Sequence, residues 1–268
     1  MNAPIQSDAE FARNQLAGGC DAMEALLNGL LDSKGRIAEE VHAIRKLGKS
    51  LRGGFALFRL KDAAREIQAI GRLLSGPRDA VSRLKTWEKI AWQTEDPVAA
   101  AIAGLLDQQT HSAARRPPQE TIDWCVGRVV EARKALLGVA AENLDETLAE
   151  GLKKLGKQVR KRCLRLDHRA EEDFHDARKA LKAYLGALGF LPHGTVSLDP
   201  KMTEIAELLG DENDIATLSA WLETHGFTPV FAPSLAQRGK IQQALVPYFI
   251  VIHCAAHPHD RFRIREKF

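Results

Sequence analysis

Apolar residues recur every three or four positions along most of the chain, the spacing of helices with one buried stripe. This pattern predicts helices around 8–31, 36–59, 60–74, 78–93, 96–112, 119–138 and 144–167. In the second half it predicts 170–190, 200–209, 212–225 and 235–256. The run Arg115-Arg116-Pro117-Pro118 breaks one helix from the next, and 192–200 is a loop by composition. Gly226, followed by Pro229, has the place of a helix C-cap. No segment shows convincing strand alternation, so the expected fold is all-α.

Two of these helices carry the same motif. Residues 39–52 read EEVHAIRKLGKSLR and residues 172–185 read EDFHDARKALKAYL. At an offset of 133, His42 aligns with His175, Arg45 with Arg178, Lys46 with Lys179 and Lys49 with Lys182. A second match follows in the same order: Leu74 to Asp79 corresponds to Leu209 to Asp214, and Trp87 to Trp221. Such ordered duplication predicts two related helical bundles in tandem, packed about a pseudo-twofold axis. The division expected is a leader helix over 1–34, repeats over about 35–167 and 168–255, and a basic tail over 256–268.

On a helical wheel, His42, Arg45, Lys46 and Lys49 share an arc of about 100°. Ile44, Leu47, Leu51, Phe55 and Phe58 fall on the opposite side. His175, Arg178, Lys179 and Lys182 repeat the arc, with Ala177, Leu181, Tyr184 and Leu188 behind them. A third basic run lies between Lys153 and Arg165, with seven cations and no acid. Lys154, Lys157, Lys161 and Arg165 in it are spaced to share one face. Like charges at these spacings repel by a few tenths of a kcal/mol per pair. A merely solvated face intersperses acids, so uniform stripes point to a polyanion as ligand.

Composition narrows the classes. With 45% hydrophobic and 27% charged residues in 268, the chain is too apolar for a disordered one. The net charge is only +3, so the local concentration of cations matters more than the total. No apolar stretch reaches the ~20 residues of a membrane span. The N-terminus lacks a basic region followed by an apolar core, and the four cysteines form no CxxC pair. Both features fit a reduced, cytoplasmic protein with buried thiols.

Other clusters read as structural. Asp79 and Asp214 suit helix caps or partners of nearby cations rather than metal ligands. His253, Cys254, His257, His259 and Asp260 match no well-defined zinc spacing, so no metal site is expected. Trp87, Trp92, Trp124 and Trp221 sit among apolar helical residues and read as core. No phosphate-cradling glycine loop, G-x-S-x-G or Cys/His nucleophile pair is present, so no catalytic residue and no cofactor is assigned.

At the repeated motif the sequence resembles the CHAD family, the conserved-histidine α-helical domains. The shared pattern is His-x-x-Arg-(Lys/Arg)-x-x-(Lys/Arg), twice, each copy followed by an Arg-Asp or Asn-Asp turn: Arg78-Asp79 and Asn213-Asp214 here. The segment from Gly151 to Arg160 resembles the family's basic helix, and the resemblance spans about 35–255. It implies two pseudo-symmetric four-helix bundles around a basic central cleft, and binding of inorganic polyphosphate without turnover. The residues it implies as phosphate contacts are His42, Arg45, Lys46, Lys49 and Arg52, then His175, Arg178, Lys179 and Lys182. Lys154, Lys157, Arg160 and Lys161 are likewise implied. The first copy departs from the pattern with glycines at 48, 53 and 54, and Leu185 stands where the first copy has Arg52. There is no Glu-x-Glu-x-Lys motif of the triphosphatase domain fused to some members. The expectation is thus a non-enzymatic, cytoplasmic, granule-associated polyphosphate binder. The competing readings are a nucleic-acid or nucleoid-associated protein on the same surface, and a polyphosphate hydrolase or kinase.

Overall fold

The apolar stripes of the two histidine helices face one shared core. The computed structural model describes residues 7–32, 37–91, 97–113, 115–163, 171–196 and 201–227. In chain order the helices are α1 (Asp8–Asp32), α2 (Ile37–Leu57), α3 (Lys61–Leu73), α4 (Ser75–Ala91) and α5 (Pro97–Ala113). Then come α6 (Gln119–Leu137), a 3₁₀ turn (Ala141–Asn143), α7 (Leu144–Cys163), α8 (Glu171–Leu188) and α9 (Lys201–Thr224). Among the described residues there is no strand, and the fold is all-α.

Helix α2 is the hub, packing against α1, α3, α4, α7 and α8. Ile44, Leu51, Phe55 and Phe58 are buried, as are Ala177, Leu181 and Tyr184 of α8. Helix α1, whose residues precede the first repeat, buries Leu16, Met23, Leu27 and Leu30 in the same core. A second, smaller cluster joins α4, α5 and α9 through Trp87, Ile102, Leu106, Leu218 and Leu222.

The glycines that depart from the motif explain the central crossing. A Cβ at Gly53 would run into the carbonyl oxygen of Ala183 and lie 2.7 Å from the nitrogen of Ala187. From the other side, a Cβ at Gly186 would lie 3.0 Å from the Cα of Ser50. Helices α2 and α8 therefore meet backbone to backbone. Gly151 does the same for α7, where a Cβ would overlap the backbone of Leu57. A residue with lower intrinsic helix propensity is kept because any side chain would push these helices apart.

One expected break is absent. The sequence places a stop between 209 and 212, yet α9 runs unbroken from Lys201 to Thr224. Its buried residues Ile205, Leu209, Ile215, Leu218 and Leu222 form a stripe that continues across Gly210. Tertiary packing on both sides outweighs the ~1 kcal/mol that glycine costs inside a helix. The helix then ends as expected. Gly226 has φ +77°, its N–H donates to Glu223 O, and the N–H of Phe227 donates to Leu222 O, a Schellman cap. The expected helix over 235–256 and the tail with its histidines lie outside the described residues.

One tryptophan departs from the core reading. Trp87 is buried, but Trp124 is 39% exposed and Trp221 half-buried. Helix α6 turns Ile122, Cys125 and Val129 inward, which leaves position 124 on the rim. Trp92 lies outside the described residues.

Two predictions test this packing. Gly53→Ala should lose about 1–3 kcal/mol of stability in urea unfolding, as overpacking does. Gly127→Ala, in α6 with nothing within 4 Å of its Cβ, should gain about 0.5–1 kcal/mol. Burial pushes the Cys20 thiol from 9.0 up to about 12 and the Cys125 thiol up to about 11. Both groups hold their protons more tightly folded than unfolded. Their contribution to stability is therefore intact below about pH 9 and is lost as pH rises toward 11 and 12. At pH 8 a thiol reagent should label neither position in the native chain and both after unfolding, read by peptide mapping.

Candidate functional site

Helix α2 places its cations along one flank because its opposite flank is held by the core. Arg45 is the most enclosed of the ion-paired ones. Its guanidinium donates to the carbonyl of Ser75 at 3.0 Å and pairs with Asp79 at 3.3 Å, with the side chain 16% exposed. Asp79 thus acts as partner to a cation, one of its two expected roles, and ties α4 to α2.

Beside this pair, Arg45, Lys49 and Arg52 of α2 meet Arg72 of α3 around a pocket of about 210 Å³. Gln68 and Ser75 add polar groups, and Met23, Ile44 and Ile67 make an apolar lining. Among the described residues, four cations and no carboxylate line this pocket. The pKa of Arg52 is lowered, first by burial and second by the charge of Arg72. An anion in the pocket would offset both by supplying counter-charge to the guanidinium.

His42 lies in a different hollow, of about 370 Å³. There it faces Ser82, Lys85 and Lys89 of α4, with Glu39 and, from α9, Asp214. Lys89 also approaches Asp211 at 3.8 Å. Helices α2 and α8, α8 and α9, α9 and α4, and α4 and α2 are all in contact, so these four close a ring.

On α8, His175 Nδ1 donates to Asn213 Oδ1 at 2.7 Å, and the Asn213 amide reaches Asp214 at 3.5 Å. This bond fixes the ring and leaves Nε2 for a ligand. Lys182 passes α9 at Gly210, where a Cβ would stand 3.6 Å from its Nζ. Arg178 is half-buried. Lys179 leans toward Asp176 at 3.9 Å, and Arg162 pairs with the same acid at 2.8 Å.

The remaining expected residues are dispersed. Lys154 shares a hollow of about 240 Å³ with Arg59, Lys61 and Arg65, away from the histidines. Glu150 pairs with Arg59, and Asp62 with Arg65 at 2.7 Å. Lys157 and Lys161 are exposed on α7, Arg160 is half-buried there, and Lys46 is exposed on α2. Arg72, Lys85 and Lys89 were not among the expected residues, yet they line the same pockets. Lys85 and Lys89 carry an i,i+4 spacing that could have signalled a shared face. Arg72 carries no local signal, since only the packing of α3 on α2 brings it to Arg52.

Two solved structures share the helical fold of this chain. A CHAD domain from the plant Ricinus communis aligns with a TM-score of 0.59 and 22% identity, over 94% of this chain and 92% of that one. PptA from Streptomyces chartreusis aligns with a TM-score of 0.59 and 15% identity, over 91% and 98%. Comparison with curated protein sequences gave no match. A family model for the CHAD domain matches residues 14–223, and the chain belongs to the CHAD family. That family is associated with polyphosphate and triphosphate binding. Among the described residues, no helix is long and apolar enough to cross a membrane.

The Arg45–Asp79 pair gives a testable coupling. A double-mutant cycle with Arg45→Ala and Asp79→Ala should return about 1 kcal/mol in urea unfolding, shrinking in 1 M salt.

Proposed function

We propose that the protein binds inorganic polyphosphate through the cations of α2, α3, α4 and α8, without hydrolysing or extending the polymer. The observation that carries this reading is the pocket of Arg45, Lys49, Arg52 and Arg72, whose lining among the described residues holds no carboxylate. Arg45 is already paired with Asp79, but the burial of Arg52 beside Arg72 costs free energy in the empty protein, and a polyanion recovers it. Each phosphate brings about one negative charge on a thin, flexible chain. Arginine grips phosphate oxygens bidentately, while Lys49, Lys85 and Lys89 act as mobile point charges. The histidines add ring nitrogens that can meet phosphate oxygens. The α2–α3 pocket and the ring of α2, α4, α8 and α9 form the main contact, and exposed Lys157 and Lys161 extend it. In a cell, the protein would partition with polyphosphate granules.

The test is a titration with long-chain polyphosphate at ~0.15 M salt, with single-stranded and duplex DNA at matched phosphate concentration. Polyphosphate should bind in preference to DNA, and its affinity should fall linearly with log salt as condensed ions are released. A variant with His42, Arg45, Lys49, Arg178 and Lys182 all changed to Ala should lose at least 100-fold, about 3 kcal/mol. Equal or tighter DNA binding, or polyphosphate affinity untouched by the substitutions, would overturn the assignment. Phosphate release in the presence of magnesium would overturn binding without turnover.

A further inference from the structure

Arg72 lines two neighbouring hollows. On one side of α3 it joins Lys49 and Arg52 in the cationic pocket. On the other it borders an open hollow of about 710 Å³ between α3 and α6, with Leu73, Glu120, Thr121 and Trp124. Nothing in polyphosphate binding uses this second hollow, whose lining is mainly apolar and aromatic.

Trp124 is exposed but not loose. Arg128, one turn further along α6, places its guanidinium carbon 4.7 Å from the ring centroid. Arg128 is in turn held by Glu66 of α3 at 2.7 Å. The indole is therefore fixed at the seam of the two helices, and a flat ligand loses little in ordering it further. Leu73, 53% exposed, supplies adjacent apolar surface. Glu120 and Thr121, at the start of α6, supply hydrogen-bonding groups on the rim, and the negative charge of Glu120 disfavours phosphate at that end.

We propose that this juncture binds a nucleoside polyphosphate. Its base lies against Trp124 and Leu73, and its phosphates run past Arg72 to Lys49 and Arg52. The charge pattern selects this occupant. An apolar partner covering Trp124 would strip water from Arg72 beside it, whereas a ligand aromatic at one end and anionic at the other satisfies both hollows. The phosphate half rests on the polyphosphate reading above; the base half does not.

Isothermal titration of the full chain with ATP, GTP and inorganic triphosphate tests it. A nucleotide should bind about tenfold tighter than triphosphate, the increment expected from stacking on an indole. Trp124→Ala should bring the nucleotide to the affinity of triphosphate and leave triphosphate and long-chain polyphosphate unchanged. Trp124→Phe should keep most of the preference, and circular dichroism should report both variants folded. Arg72→Ala should weaken nucleotide and triphosphate together. Equal binding of nucleotide and triphosphate, or a preference that survives Trp124→Ala, overturns the base site and leaves the polyphosphate reading standing. Nucleotide binding that needs Trp124 in a chain that holds neither triphosphate nor polyphosphate keeps the base site and overturns the phosphate path.

Discussion

Backbone contact between α2 and α8 is the constraint on which the rest of this molecule depends. Gly53 and Gly186 remove the side chains that would separate the two helices. Each helix buries an apolar stripe on one side, so the cationic side of α2 is left toward α3 and α4 and that of α8 toward α9. Widening the crossing would move His42 and Arg45 relative to His175 and Arg178. The same device recurs where Gly151 lets α7 sit on the end of α2. A sequence that looks poorly suited to helices at positions 53 and 54 is thus one in which close packing outranks local propensity.

Electrostatics in the site divides between structure and ligand. Arg45 fixes α4 through Ser75 and Asp79, and His175 fixes α9 through Asn213. These bonds use the two sequence repeats in parallel, each anchoring a histidine-motif helix to the Arg-Asp or Asn-Asp segment that follows it, which is helical in both places. Arg52 and Arg72 do the opposite: burial and mutual repulsion disfavour the charge on Arg52. At the matching place in α8 stands half-buried Leu185, so the second repeat has no arginine there.

Much of this was legible in the sequence because the helical period is local. The opposition of Ile44, Leu51 and Phe55 to His42, Arg45 and Lys49 follows from 3.6 residues per turn, and the buried positions agree. The Gly226 cap was legible for the same reason, as a left-handed residue has a local signature. The unbroken α9 was not, because packing on both sides of Gly210 decided it. Nor was the exposure of Trp124, since the hydrophobicity of a residue does not state which neighbour covers it.

Periodicity and duplication in the chain alone determined most of the helices, their buried faces and the two basic arcs. Only the tertiary structure decided which cations share a pocket. It separated His42 from Arg45 and Lys49, set Lys154 apart, and recruited Arg72, Lys85 and Lys89. The physical reason is range. Helical phase is set by residues three or four apart, whereas a charge cluster is set by the crossing of helices distant in sequence, and here by glycines whose role appears only at the contact.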